Sequence, residues 1–238
     1  MKKTIGILGG MGPEATAYFF ELIIKKTKAE KDQEHIPVII YANPGVPERT
    51  AAVLGKGPSP LPKLVEGARV LKEAGADFIV MPCVTAHHFY NEMLREVKVN
   101  FLNLVDETVL YALRKNPGLK KAGLVASTGT LRARLFHEAF GREGVEIVEP
   151  AEKEQERVME AIFGKQGVKA GHTSGKSREA ILDVAKALIG RGAEAIIAGC
   201  TEVPLVLEAG DIEVPLIEPL QILAEVSIRM AGYKVRSG

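Results

Sequence analysis

Gly75-Ala76-Asp77-Phe78-Ile79-Val80-Met81-Pro82-Cys83 aligns without a gap with Gly192-Ala193-Glu194-Ala195-Ile196-Ile197-Ala198-Gly199-Cys200. The offset, 200 − 83, is 117 residues, and Gly6-Ile7-Leu8-Gly9-Gly10-Met11-Gly12 meets Gly123-Leu124-Val125-Ala126-Ser127-Thr128-Gly129 at the same offset. Two separate segments sharing one offset mark an internal duplication. In each copy a glycine opens a short apolar run of strand length, and a cysteine closes it.

Outward from these segments, strand-length apolar runs fall at residues 4–8, 38–41, 78–81, 101–104, 122–126, 145–148, 195–198 and 216–217. Helical periodicity falls at 13–29, 60–74, 131–141, 152–163 and 177–190. Strands alternating with helices predict an α/β fold with right-handed crossovers. The strand runs are continuously apolar, as strands covered on both faces are. The expectation is two pseudo-symmetric lobes, each a doubly wound parallel sheet flanked by helices. Residues 1–105 with 217–238 would form the N-terminal lobe, and 106–216 the C-terminal lobe. Open α/β sheets bind ligands outside the C-terminal ends of their strands. Pseudo-twofold symmetry would therefore set Cys83 and Cys200 on opposite walls of one cleft.

Composition narrows the function. The 238 residues carry 31 Lys and Arg against 30 Asp and Glu, with 5% aromatics and no Trp. Such a chain lacks the basic field and the stacking platform of a nucleic-acid binder. No apolar run approaches the length of a bilayer span, and the N-terminus has no signal-peptide pattern. The expected location is cytoplasmic.

Two cysteines in such a chain are not a structural staple. One cysteine alone is usually a small buried hydrophobe; the duplication argues against that for the pair. A strand-end cysteine before a helix N-terminus has its thiolate favoured by the local dipole. Two symmetric thiols suit proton transfer to and from opposite faces of one carbon, the chemistry of racemisation or epimerisation. A redox dithiol would show Cys-X-X-Cys spacing, and zinc would need further ligands, which His87-His88 do not supply since helical neighbours point apart. The glycine-rich turn at Gly9-Gly10-Met11-Gly12 lacks the spacing of a dinucleotide loop. No metal and no cofactor is expected.

Gly9-Gly10-Met11-Gly12-Pro13-Glu14-Ala15-Thr16, Met81-Pro82-Cys83-Val84-Thr85-Ala86-His87 and Gly199-Cys200-Thr201-Glu202 resemble the signatures of the aspartate/glutamate racemase superfamily, in particular its aspartate racemase-type members. The resemblance implies a two-lobed isomerase that racemises aspartate, glutamate or a related amino acid without pyridoxal phosphate or metal. Cys83 and Cys200 would be its acid and base, and the enzyme a homodimer with a small amino acid as its partner. The same superfamily includes hydantoin racemases, maleate isomerases and arylmalonate decarboxylases, so those chemistries are alternatives, as is a non-catalytic binder of small acids.

By the same resemblance, Arg49 in Asn43-Pro44-Gly45-Val46-Pro47-Glu48-Arg49-Thr50 would meet a substrate carboxylate, for which a guanidinium offers two parallel donors. Lys169, with Lys165 as competitor, would lie near the substrate. Met11, Val84, Thr85, Thr128 and Thr201 complete the expected binding set. Ser127-Thr128-Gly129-Thr130 also reads as an ordinary helix cap. Two departures stand out: Val84 where relatives have Asn, and Glu218 where they have Asp. The first removes an amide beside Cys83 and opens the side-chain specificity to broader or less acidic substrates.

Overall fold

The computed structural model describes residues 2–236. Eight strands run β1 Ile5–Gly9, β2 Val38–Ala42, β3 Phe78–Val80, β4 Asn100–Leu102, β5 Lys121–Val125, β6 Glu146–Val148, β7 Ala195–Ala198 and β8 Leu216–Ile217. Helices are α1 Pro13–Lys26, α2 Arg49–Val53, α3 Leu61–Glu73, α4 Tyr90–Glu96, α5 Leu104–Lys115, α6 Thr128–Arg132, α7 Leu135–Gly141, α8 Glu152–Phe163, α9 Lys176–Gly190 and α10 Pro219–Met230. The chain divides into two compact units, with the divisions after Glu107 and after Pro219. The first unit holds the sheet β2-β1-β3-β4 and the second the sheet β6-β5-β7-β8, every pairing parallel. This is an α/β fold of two parallel four-stranded sheets flanked by helices.

The duplication holds at the level of atoms. Gly6 pairs with Ile79 and Gly123 with Ile196. A Cβ on Gly6 would stand 2.8 Å from Ala76 Cβ, close to Leu71 and Ile79 as well. A Cβ on Gly123 would stand 2.9 Å from Leu188 Cβ, close to Ala193 and Ile196. The two sets of neighbours are the same three positions 117 residues apart, so each glycine lets a helix lie directly on its first strand. Gly75 and Gly192, at φ +95° and +92°, turn the preceding helix into β3 and β7 by the left-handed route open to glycine. Asp77 Oδ2 then accepts from Thr4 N–H at 2.7 Å, and Glu194 Oε2 from Lys120 N–H at 2.7 Å, fastening each third strand beside the first.

α1 shows how sequence sets an element. Pro13 stands in its first turn with Glu14, Lys25 and Lys26 in its last, and Ala15, Thr16, Phe19, Leu22 and Ile23 form its buried stripe. The periodicity predicts a helix to residue 29, but it stops at Lys26 because Thr27 turns extended and bridges Val235. The single helix expected over 131–141 is two helices. Ser127 caps α6, and Arg134 at φ 53° breaks the run, so that Phe136 and Phe140 of α7 enter the core. Among the described residues no helix is long and apolar enough to cross a membrane.

Candidate active site

Cys83 follows β3 and precedes a short 3-10 helix, Thr85–Phe89; it is 6% exposed. Its apolar cluster includes Met11 and Val46, so the turn after β1, the loop after β2 and the cysteine after β3 converge in the first unit. The cysteine backbone is held from behind by His87. Leu104 N–H donates to His87 Nε2 at 3.2 Å, which leaves the ring hydrogen on Nδ1 to donate to Cys83 O at 2.9 Å. Burial pushes this imidazole down to about 4, although its contacts to the backbone of Cys83 and Val84 oppose that. His87 is therefore a neutral clamp between the Cys83 turn and the start of α5. Val84 and Thr85, the residues following the cysteine, are both buried.

Arg49 opens α2, and Glu48 caps that helix by accepting from the backbone N–H groups of Thr50 and Ala51. Asn43 Oδ1 accepts from Gly45 N–H at 2.8 Å and shapes the loop between. The Arg49 guanidinium turns inward onto backbone carbonyls. Nη1 donates to Val46 O and Pro47 O, both at 3.1 Å, and Nη2 to Met11 O at 3.0 Å. Its Nε–H is buried without an acceptor. Arg49 thus ties the loop after β2 to the turn after β1.

In the second unit Cys200 follows β7, 7% exposed, two residues beyond the strand. Its thiol donates to Glu202 Oε2 at 2.9 Å, and Thr201 Oγ1 donates to the same oxygen at 3.2 Å. Lys169 Nζ pairs with the other oxygen, Oε1. Glu202 is 4% exposed, and breaking an ion pair at that depth costs on the order of 3–5 kcal/mol. Lys169 is set by a 3-10 turn, Val168–Ala170, whose Val168 is anchored in the core, and its ammonium lies 5.5 Å from the centre of the Phe163 ring. Lys165, the competing lysine, is exposed.

This arrangement corrects one expectation. The dipole argument favours a thiolate at both strand ends, but at Cys200 burial, and then the Glu202 charge, push the thiol well above its ordinary range; Lys169 opposes them. Cys200 is held as a protonated thiol. Glu202, quoted in the sequence motif but given no role there, is its immediate partner; the signal was an acid two residues beyond the strand-end cysteine.

Thr128 lies at the start of α6, and its hydroxyl accepts from Gln155 Nε2 at 3.1 Å. It borders a cavity of about 840 Å³ beyond β5 and β6, where Glu149, Glu152, Glu156 and Glu160 face Arg132 and Arg134. The structure thus gathers Cys83, Met11, Val84, Thr85 and Arg49 in the first unit, and Cys200, Thr201 and Lys169 in the second, with Thr128 on the cavity wall. Among the described residues no group of three or more His, Cys, Asp or Glu side chains is placed to hold a metal ion.

Residues 8–226 match the model of the Asp/Glu/Hydantoin racemase family. The chain belongs to that family. It is 28% identical to the broad specificity amino-acid racemase RacX of Bacillus subtilis (strain 168), over 94% of this chain and 96% of that protein. Its fold superposes on the aspartate racemase of Picrophilus torridus with a TM-score of 0.88 at 31% identity, covering 98% of this chain and 96% of the other. An aspartate racemase homologue from Pyrococcus horikoshii superposes with a TM-score of 0.77 at 27% identity, covering 98% and 100%. Membership makes the chain an isomerase of the Asp/Glu racemase type, and this family member carries both cysteines as free thiols.

Proposed function

We propose that the chain racemises α-amino acids by two-base proton transfer between Cys83 and Cys200, with no cofactor. The observation that carries this reading is the equivalence of the cysteines: each lies just beyond the third strand of one copy of a duplicated fold. The names of its relatives, amino-acid and aspartate racemases, support the same chemistry.

In this reading one cysteine, as thiolate, takes the α-proton and becomes a thiol, while the electron pair left on Cα delocalises into the α-carboxylate. The other cysteine, as thiol, delivers its proton to the opposite face and becomes the thiolate. The Cys200–Glu202–Lys169 arrangement suits Cys200 to begin as the thiol. Lys169 compensates Glu202, so the carboxylate can hold the S–H without taking its proton outright. Hydroxyl and backbone donors at Thr85, Thr128 and Thr201 would stabilise the dianionic intermediate by charge placed in advance. Removal of bulk water would strengthen that stabilisation.

Incubation of each enantiomer in heavy water, followed by NMR and chiral chromatography, tests the reading. The wild-type protein incorporates α-deuterium and forms the opposite enantiomer. Cys83→Ser and Cys200→Ser lose racemisation by at least about a thousandfold, the scale of a positioned acid or base, while retaining exchange from one enantiomer only. Full racemisation by either variant would overturn the two-base reading.

A further inference from the structure

We propose that Thr16 is a positioning residue for Cys83: its hydroxyl holds the turn that covers the thiol. The inference rests on the racemase reading for its consequence in turnover, while its geometry lies wholly within the first unit. Thr16 stands in the first turn of α1 and is 4% exposed. A helical threonine can return its hydroxyl proton to the carbonyl four residues back, and Thr16 Oγ1 does so to Gly12 O at 2.9 Å. The same oxygen also accepts from the buried N–H of Gly10 at 2.9 Å, beyond the start of the helix. One hydroxyl therefore closes the turn on both sides of Met11. The glycines ahead of it make room for this. A Cβ on Gly9 would lie 2.3 Å from Thr16 Cγ2, and one on Gly10, at φ +93°, would lie 2.4 Å from the backbone of Asn43.

The turn carries Met11, which is buried in the same apolar cluster as Val46 and Cys83. Continuing the register that pairs Ile7 with Val80 sets Gly9 and Gly10 level with Pro82 and Cys83. Arg49 grips the turn as well, donating from Nη2 to Met11 O at 3.0 Å, so Gly10, Met11 and Gly12 are each held by a side chain. Without the Thr16 hydroxyl, the Gly10 N–H would be buried and unsatisfied, and the turn would relax by carrying that group toward water. Such a movement draws Met11 away from the cluster that covers Cys83. The tie belongs to one copy of the duplication only. The position 117 residues beyond Thr16 is Ala133, which has no hydroxyl.

The test reads Cys83 alone, as the rate of its alkylation by iodoacetamide in the full chain carrying Cys200→Ser. Thr16→Val and Thr16→Ala should each speed the reaction by about tenfold or more, the factor for one lost hydrogen bond, and Thr16→Ser, which keeps the hydroxyl, by no more than about twofold. Thr16→Ala sets no methyl against the Gly10 N–H, so the test does not depend on the valine variant folding. Thr27→Val is the control. It removes a buried hydroxyl that donates to Ile23 O at 2.6 Å at the other end of α1, and should leave the rate unchanged. Equal acceleration by Thr27→Val, or none by either hydroxyl-free variant of Thr16, would overturn the proposal. With both cysteines present, Thr16→Val and Thr16→Ala should lower kcat for racemisation by about tenfold or more and change KM by no more than about twofold, with Thr16→Ser close to wild type. An unchanged kcat would overturn the positioning role. A wild-type protein that racemises no amino acid would remove the racemase reading, whereas the alkylation rates would still decide whether Thr16 holds the turn over Cys83.

Discussion

Cys83 and Cys200 occupy equivalent strand ends yet have different neighbours, and the difference is chemical. A buried carboxylate receives the Cys200 thiol, with a lysine at its other oxygen. Cys83 has a histidine behind it that never faces the thiol, because both ring nitrogens are used on backbone. That histidine makes a pH prediction. Its ordinary pKa is 6.5 and burial lowers it to about 4 in the folded chain. Above pH 6.5 both folded and unfolded forms are neutral at this residue and its contribution to stability is complete. As pH falls from 6.5 toward 4 the unfolded chain binds a proton and the folded chain does not, so stability drops by about 3 kcal/mol over that window. Urea unfolding at pH 7 and pH 5 should show about 2 kcal/mol of that drop, and His87→Gln should flatten it. Parallel pH dependence in the two proteins would refute the assignment.

Among the elements, those built on the duplication were legible and those outside it were less so. The 117-residue offset announces β1, β3, β5 and β7 because it carries glycines that a helix or a turn requires. α5 and α10 were not read from periodicity, although both have start signals. Asn103 Oδ1 accepts from Val105 N–H at 2.9 Å ahead of the first-turn acids Asp106 and Glu107, and α10 opens on Pro219. Weighing caps above apolar spacing would have found them. The strand-end placement of both cysteines was legible in the offset, whereas the three carbonyl acceptors of Arg49 were not, because they depend on how two loops meet. The glycine pair offers a matched test. Gly6→Ala and Gly123→Ala should each destabilise by about 1–3 kcal/mol, the cost of overpacking, because the new methyl falls inside contact distance of Ala76 in one copy and of Ile196 and Leu188 in the other. Denaturant midpoints at constant slope would measure this; a loss in only one variant would mean that the two copies no longer pack alike.

At the scale of the molecule, the first unit is assembled from both ends of the described chain. Lys3 N–H donates to Ala231 O, Lys28 N–H to Lys234 O and Arg236 N–H to Lys26 O, while Lys26 Nζ pairs with Glu225 at 3.1 Å. Deleting residues 232–238 removes two of those backbone bonds, the pair that makes the Thr27–Val235 bridge. At about 1 kcal/mol each, and about 2–4 °C per kcal/mol for a chain of this length, the melting temperature should fall by about 5 °C or more. An unchanged melting temperature would show the C-terminal segment to be dispensable. The second unit, by contrast, is one unbroken stretch, 108–219. On the ribosome the order of completion is therefore inverted relative to the order of synthesis. The unit that is begun first still lacks α10 when every residue of the second has been made. Until α10 emerges, the nascent chain holds a complete second unit carrying Cys200 and, beside Cys83, a four-stranded sheet that still lacks its last helix.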